Sequence, residues 1–285
     1  MDDRHGHPDL PAPRGGGRGL SRRRGPTRLP GLVDSHAHLQ HERFDGIRDA
    51  VVERAREAGI ERICVPGWDL ASSEGALELA ERYPALVEAA VGVHPHHAAA
   101  VDEHGWERLE ELIRDPRTRA VGEIGLDLYR NLSPPEVQRE AFDRQLRLAS
   151  ERGLPVLVHD RDAHAEVSDA LLAWSEHGGG PRGVLHAFSG GRRMAELLTS
   201  AGYLVSFALP VAFRSAAGPR EAAAALPAGT FLVETDAPYL GPDRERTNEP
   251  VTAMRVVAEL ARLRGVPPEE LVPPIRAAYD ALLRP

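Results

Sequence analysis

Residues 33–41 read VDSHAHLQH. His36 and His38 stand two positions apart, just past the apolar pair Leu32 and Val33. On a strand, residues two apart project to the same face. The stretch therefore reads as a short buried strand whose end turns two imidazoles the same way. Two neutral imidazoles that converge are half of a metal site. In a (βα)8 barrel such groups would sit at the C-terminal mouth, where active sites of that fold lie.

The rest of the chain repeats this arrangement. Short apolar runs at 31–34, 62–67, 86–92, 119–125, 155–160, 183–188, 203–208 and 230–235 read as strands. Helical patterns lie between and after them, at 44–58, 70–82, 106–114, 135–152, 163–176, 192–201, about 219–226, 251–263 and 268–283. The clearest is 135–152, where Val137, Phe142, Leu146 and Ala149 recur near helical spacing. Gly59, Gly153 and Gly202 fall where helices should stop. Eight strands alternating with helices imply a parallel sheet with right-handed crossovers. For one α/β unit of this size the leading solution is a TIM-barrel-like (βα)8 fold, with an open doubly wound sheet as the alternative. No glycine-rich phosphate loop follows a strand, and polar residues gather at the strand ends. Both features favour the barrel.

Composition narrows the functional classes. The chain has 285 residues and a net charge of −8, and all 35 basic side chains are Arg. An acidic chain is poorly suited to coating duplex nucleic acid, which needs many phosphate contacts. It remains compatible with an enzyme that takes one phosphate into a metal pocket. No apolar run is long enough to span a membrane, and none follows the N-terminal arginines as a signal peptide requires. The single cysteine, Cys64, sits between Ile63 and Val65 and reads as an inert core residue. These features fit a cytoplasmic protein. Residues 1–30 are rich in Gly, Pro and Arg and have almost no apolar periodicity, so they read as a disordered extension. A basic arm touching nucleic acid is the sharper reading of that segment, and a floppy tail the blander one. Residues 31–285 then form the catalytic barrel.

The strand ends supply the chemistry. After His36 and His38 come His94 in VGVHP, Glu123 and Asp127 in VGEIGLD, His159 in LVHDRD, His186 in VLHAF, and Glu234 and Asp236 in VETDAP. A lone histidine at a strand end is more often a hydrogen-bonded polar residue than a ligand. Repetition on strand after strand is harder to explain that way, because burying unpartnered polar groups costs several kcal/mol, about 2–7 each. Four imidazoles and two carboxylates without thiolates argue for Zn, Mn, Fe, Co or Mg. Six ligands exceed what one catalytic ion needs, so two divalent ions bridged by a carboxylate fit better.

Taken in order, VDSHAHL, GVHPH, VGEIGLDLYR, LPVLVHDRDAH, GVLHAFSG, ETDAPYL and RTNEP closely resemble the motifs of the TatD family of metal-dependent hydrolases, in the wider amidohydrolase-like group. The resemblance covers about residues 31–285. It implies a barrel, a centre of two divalent metal ions (Mg, Mn or Zn) and, for characterised members, a deoxyribonuclease that trims DNA from the 3′ end. Some members are reported to act on other esters, including misacylated tRNA. By position, the resemblance implies that His36 and His38 bind the first ion, Glu123 bridges, and His159 and His186 bind the second. It makes Asp236 both a metal ligand and the catalytic group that handles the proton of the attacking water. His94 is implied to face substrate, and Arg161 to hold a phosphate through its bidentate fork. A surface salt bridge with Asp162 is the other reading of Arg161. The chain departs from the family in PDRERTNEP, where Glu245 and Thr247 replace a basic, Gly-containing segment and put contacts through Arg244 and Arg246 in question. A C-terminal Asn-Ala signature is also changed, to AAYDALL.

Other residues have weaker readings. Asp34 either orients a ligand or caps the strand end, and Asp127 either does likewise or pairs with Arg130. His96, His97 and His104 read as solvent-exposed loop residues, and His41, His164 and His177 as surface. Glu234 reaches the pocket or accepts hydrogen bonds inside the barrel. Phe188, Tyr239 and Phe207 either stack on a base or wall the pocket; core packing suits Phe207 better, and Tyr239 is the better candidate to stack on a base. The leading functional expectation is metal-assisted hydrolysis of a phosphodiester at the end of single-stranded or frayed DNA, with no stable protein partner implied. A second reading keeps the metal site and changes the substrate to another ester or amide. A third, a non-catalytic metal-binding protein, predicts a missing ligand or base, and every expected position is filled.

Overall fold

The computed structural model describes residues 28–176, 183–242 and 247–284. Eight strands form one parallel sheet in sequential order: β1 Leu32–Asp34, β2 Ile60–Pro66, β3 Val87–Val91, β4 Thr118–Asp127, β5 Val156–Arg161, β6 Val184–Leu185, β7 Leu204–Phe207 and β8 Phe231–Val233. The helices alternate with them: α1 Arg48–Glu57, α2 Leu70–Arg82, α3 Glu103–Arg114, α4 Pro135–Arg152, α5 His164–Glu176, α6 Arg192–Ser200, α7 Ala217–Ala225, α8 Ala253–Arg264 and α9 Pro268–Leu283. This is the expected (βα)8 barrel. No helix among the described residues is long and apolar enough to cross a membrane.

The barrel closes between β1 and β8. Ser35 N donates to Val233 O at 2.9 Å, Asp236 N to His36 O at 2.9 Å and His38 N to Ala237 O at 2.7 Å. A parallel bridge joins Ala37 to Ala237. The seam thus continues past the strands and ties His36 and His38 to Asp236 through the backbone. Buried Asp34 reinforces it, accepting from Thr235 N at 2.9 Å, Thr235 Oγ1 at 2.6 Å and His36 N at 3.3 Å. Asp34 therefore acts on the backbone beneath the histidines, and it holds no imidazole ring.

Several boundaries differ from the sequence expectations. The helix expected over 44–58 starts only at Arg48, because a 3-10 turn at Glu42–Phe44 and a left-handed Gly46 at φ +76° come first. Helix α3 begins at Glu103, three residues early, where the Asp102 carboxylate caps Gly105 N at 2.8 Å. Strand β6 shrinks to two residues because Ala187 turns to φ +43°. Leu29 falls inside the segment 1–30 that reads as an extension. Leu29 is buried in the core and its N–H donates to Ala58 O at 2.8 Å. Residues 1–27 lie outside the described residues, as do His177, Arg244 and Arg246.

Helix α9 braces the base of the barrel. Tyr279 reaches Glu88 Oε2 at 2.8 Å, and Arg284 Nη1 reaches Glu88 Oε1 at 3.1 Å. Cys64 is buried, and burial beside Glu88 pushes its thiol well above the usual range, which fits the inert reading. Phe207 packs edge to face against Phe188 and Phe231 in the core.

Candidate metal centre

The strand ends deliver their polar side chains to one point. Glu123 faces five imidazoles: His186 Nε2 at 2.7 Å, His159 Nδ1 at 2.9 Å, His36 Nε2 at 3.3 Å, His94 Nε2 at 3.4 Å and His38 Nε2 at 3.7 Å. Asp236 Oδ1 lies 3.5 Å from His38 Nε2 and 3.8 Å from His36 Nε2. All seven side chains are buried. The close approach of β4 to β5 depends on Gly125, where a Cβ would stand 2.0 Å from His159 O. Any side chain there would push His159 away from Glu123.

The donors fit divalent cations. Three triads offer ligand atoms that all lie within 4.8 Å of one another: His36, His186 and Asp236; His36, His38 and Glu123; and His94, Glu123 and His159. Imidazole nitrogens face each other at 3.2 Å between His36 and His38, and at 3.0 Å between His159 and His186. Two neutral rings with inward lone pairs repel at that range, and either a proton on one ring or a cation between them removes the repulsion. Shared membership of Glu123 and His36 in these groups suits two neighbouring ions.

The outward ring atoms fix which nitrogen points inward. His38 Nδ1 lies 3.2 Å from Pro66 O, a pure acceptor, so it carries the proton and leaves the Nε2 lone pair for the centre. His186 Nδ1 is 3.5 Å from Glu234 Oε1, and His159 Nε2 is 3.5 Å from Asp127 Oδ2. Both contacts are longer than a hydrogen bond, but a carboxylate behind each ring favours the tautomer that carries its proton on that side. Glu234 also accepts from Ala187 N, so it settles both the ring and the turn beside it. His94 differs. Its Nδ1 accepts from His96 N at 3.1 Å, which puts the proton of the neutral ring on Nε2, facing Glu123. His94 thus presents a donor to the pocket, in keeping with the substrate-facing expectation, although its position alone would also suit a ligand.

Burial and charge pull the titrations apart. Burial pushes His36 and His94 below the usual histidine range. At His38, burial is overcome by Asp236 and Glu123, which raise it; at His186 the carboxylates of Glu123 and Glu234 do so more strongly. Asp127 and Glu123 are held low: burial opposes ionisation, but the surrounding imidazoles outweigh it.

Other sequence expectations meet mixed outcomes. Arg161 lines the mouth with its guanidinium 4.4 Å from the Tyr129 ring centroid. His96 is half-buried, with Nε2 2.7 Å from Asp127 Oδ2, so the solvent-exposed reading is wrong for it. His41, read as surface, is half-buried and lines the mouth, as do His97, Arg130 and Leu132. His104 is exposed as expected, and His164 pairs with Asp160 at 2.7 Å. Sequence reasoning missed Trp68, which also lines the mouth. The signal was its place in CVPGW, directly past β2, the position that carries a functional side chain on most other strands.

Known proteins give the same picture. The family model described as TatD related DNase matches residues 33–284. An uncharacterised metal-dependent hydrolase, YabD of Bacillus subtilis, is 35% identical over 242 residues, covering 84% of this chain and 94% of the relative. The 3′-5′ ssDNA/RNA exonuclease TatD of Erwinia billingiae is 38% identical over 247 residues, with 84% and 94% covered. Among solved structures, the TatD homologue YjjV of Escherichia coli superposes with a TM-score of 0.84 at 32% identity, covering 90% of this chain and 99% of that one.

Proposed function

The chain belongs to the TatD family of metal-dependent hydrolases, and we propose that it is a 3′-5′ exonuclease of single-stranded or frayed DNA. The observation that carries the hydrolase chemistry is the convergence of imidazoles on Glu123, with Asp236 locked beside them by the β1–β8 seam. The nucleic-acid substrate is supported by the relatives named as exonucleases and by a mouth lined with Arg130, Arg161 and aromatic rings. His36, His38, Glu123, His159, His186 and Asp236 would hold two divalent ions, with Glu123 bridging. Bound there, Mg, Mn or Zn would supply Lewis acidity to a phosphoryl oxygen and make water a better nucleophile at neutral pH.

The chain's own groups divide the remaining work. Asp236 Oδ accepts the proton of the attacking water. The Nε2–H of His94 donates to a phosphate oxygen, and Arg161 takes another through its planar fork. Asp127 and Glu234 keep His159 and His186 in the tautomers that face the centre. The centre is recessed among buried side chains at the end of an eight-stranded barrel, which favours entry of a single strand end.

Digestion of 5′-labelled single-stranded DNA by metal-stripped protein, with Mg, Mn and Zn added back separately, tests this reading. A ladder shortening from the 3′ end, absent in D236N, is expected. A D236N enzyme of near-normal rate would remove Asp236 from its role. No cleavage with any ion would move the substrate search to acylated tRNA and small esters.

A further inference from the structure

The mouth has two unlike sides. Trp68, His41 and Tyr239 come from the loops after β2, β1 and β8, which are neighbours around the closed barrel. Arg130 comes from the loop after β4 and Arg161 from the last position of β5, on the far side. The first side gathers three rings around His38, with Arg43 beside Tyr239, and the second carries two guanidiniums, one of them over the Tyr129 ring. We propose that Trp68, with His41 and Tyr239, forms a nucleobase-stacking subsite beside His38 that selects for a base next to the scissile phosphate. This rests on the nucleic-acid reading of the site and names the residues that would recognise the base.

The geometry is that of a built aromatic wall. The Trp68 ring stands edge-on to His38 with centroids 5.2 Å apart, and Tyr239 does so at 6.1 Å. His41 bridges them, 5.9 Å from Trp68 and 5.6 Å from Tyr239. The Arg43 guanidinium lies 5.7 Å from the Tyr239 centroid. The backbone of Trp68 is held at both ends: its N–H donates to Ser72 Oγ at 2.8 Å, and its C=O accepts from His94 N at 2.9 Å. Ser72 is itself fixed by the Asp69 capping box at the start of α2. A half-buried ring on so rigid a loop is pre-organised, so a base can stack on it with little ordering cost. The chemistry of a strand end has the same two halves as the mouth, a flat base and an anionic phosphate.

The test compares 5′-labelled oligonucleotides whose 3′-terminal nucleotide carries a base or is an abasic tetrahydrofuran analogue. Wild type is expected to prefer the base-bearing end. W68A should lose about 10- to 100-fold in kcat/KM on that end, so that the ratio between the two strands falls toward one, while W68F keeps the ratio. Titration with thymidine monophosphate should quench tryptophan fluorescence saturably in wild type and not in W68F, and deoxyribose 5-phosphate should not quench. Equal losses by W68A on both strands, or quenching that persists in W68F, overturn the subsite. If wild type cuts neither strand, the fluorescence arm separates the two readings. Quenching confined to wild type upholds the base subsite and sinks the DNA exonuclease, whereas its absence sinks both.

Discussion

The two ends of the barrel solve the same problem, a buried carboxylate, in opposite ways. At the base, Glu88 is met by the chain's own groups: Tyr279 Oη at 2.8 Å, Arg284 Nη1 at 3.1 Å and Arg62 Nε at 3.5 Å. At the mouth, Glu123 is met by imidazoles whose lone pairs also point inward. The base is electrostatically closed, and the mouth is arranged for a cation from outside. Backbone conformation divides along the same line. Left-handed turns on the base side fall on Gly31, Gly59, Gly153, Gly202 and Gly229, which bear no steric cost. On the mouth side Gly46 and Gly125 take positive φ as well, but so do Asn131, Asp162, Ala187, Asp236 and Leu240, which bear a cost. Strain is kept where a side chain must be aimed and avoided where only a turn is needed.

The largest expected effect comes from removing the charge at the mouth. Groups that merely orient a metal ligand cost about 10- to 100-fold when lost, so E123Q is expected to lose more than about 100-fold in activity. A group that binds only the folded state stabilises it by mass action. Chelation should therefore lower the melting temperature of wild type by several degrees and that of E123Q by much less. Equal shifts in the two proteins would break the contrast between the ends.

The barrel and most of the mouth were legible because both are local patterns. An apolar run that ends in His, Glu or Asp can be read one strand at a time, and His36, Glu123, His159, His186 and Asp236 all stand at such ends. What escaped depends on neighbours distant in sequence. Trp68 becomes part of the mouth only because the loop after β1 brings His41 to it, and His41 in turn meets Tyr239 from the loop after β8. His96 follows a proline in a polar run and reads as loop, yet Asp127 draws it inward. Leu29 sits among Arg and Pro, and its burial follows from Gly59, where a Cβ would stand 2.6 Å from the Leu29 carbonyl.

At the base, the expected effect is on stability and not on turnover. E88Q replaces one of the two oxygens that accept from Tyr279 and Arg284 with an amide nitrogen and should cost about 1–3 kcal/mol, with kcat unchanged. The pH dependence sharpens this. Burial raises the Glu88 carboxyl above its usual range in spite of its partners. The folded protein therefore holds a proton that the unfolded chain releases near pH about 4.3. That contribution is full below this pH and is lost as pH rises through the folded value. The stability advantage of wild type over E88Q should narrow as pH rises from about 4 and then level off. Urea denaturation at several pH values reads it, and a widening advantage would contradict the sign.

The smallest effect tests the strain itself, at Ala187. Its φ of +43° costs an L-residue about 1–2 kcal/mol. Glycine would remove that cost but would give back about 0.5–1 kcal/mol through the greater freedom of the unfolded chain. The backbone bond from Ala187 N to Glu234 survives the exchange. A187G should therefore be more stable by up to about 1 kcal/mol, a rise in melting temperature of about 2–4 °C at this chain length. The same freedom loosens the turn that aims His186, so kcat should fall a few-fold while stability rises. Opposite movement of the two quantities is what strain held for function predicts. If A187G instead loses stability, the left-handed turn is not a stored cost, and the contrast between the ends reduces to charge alone.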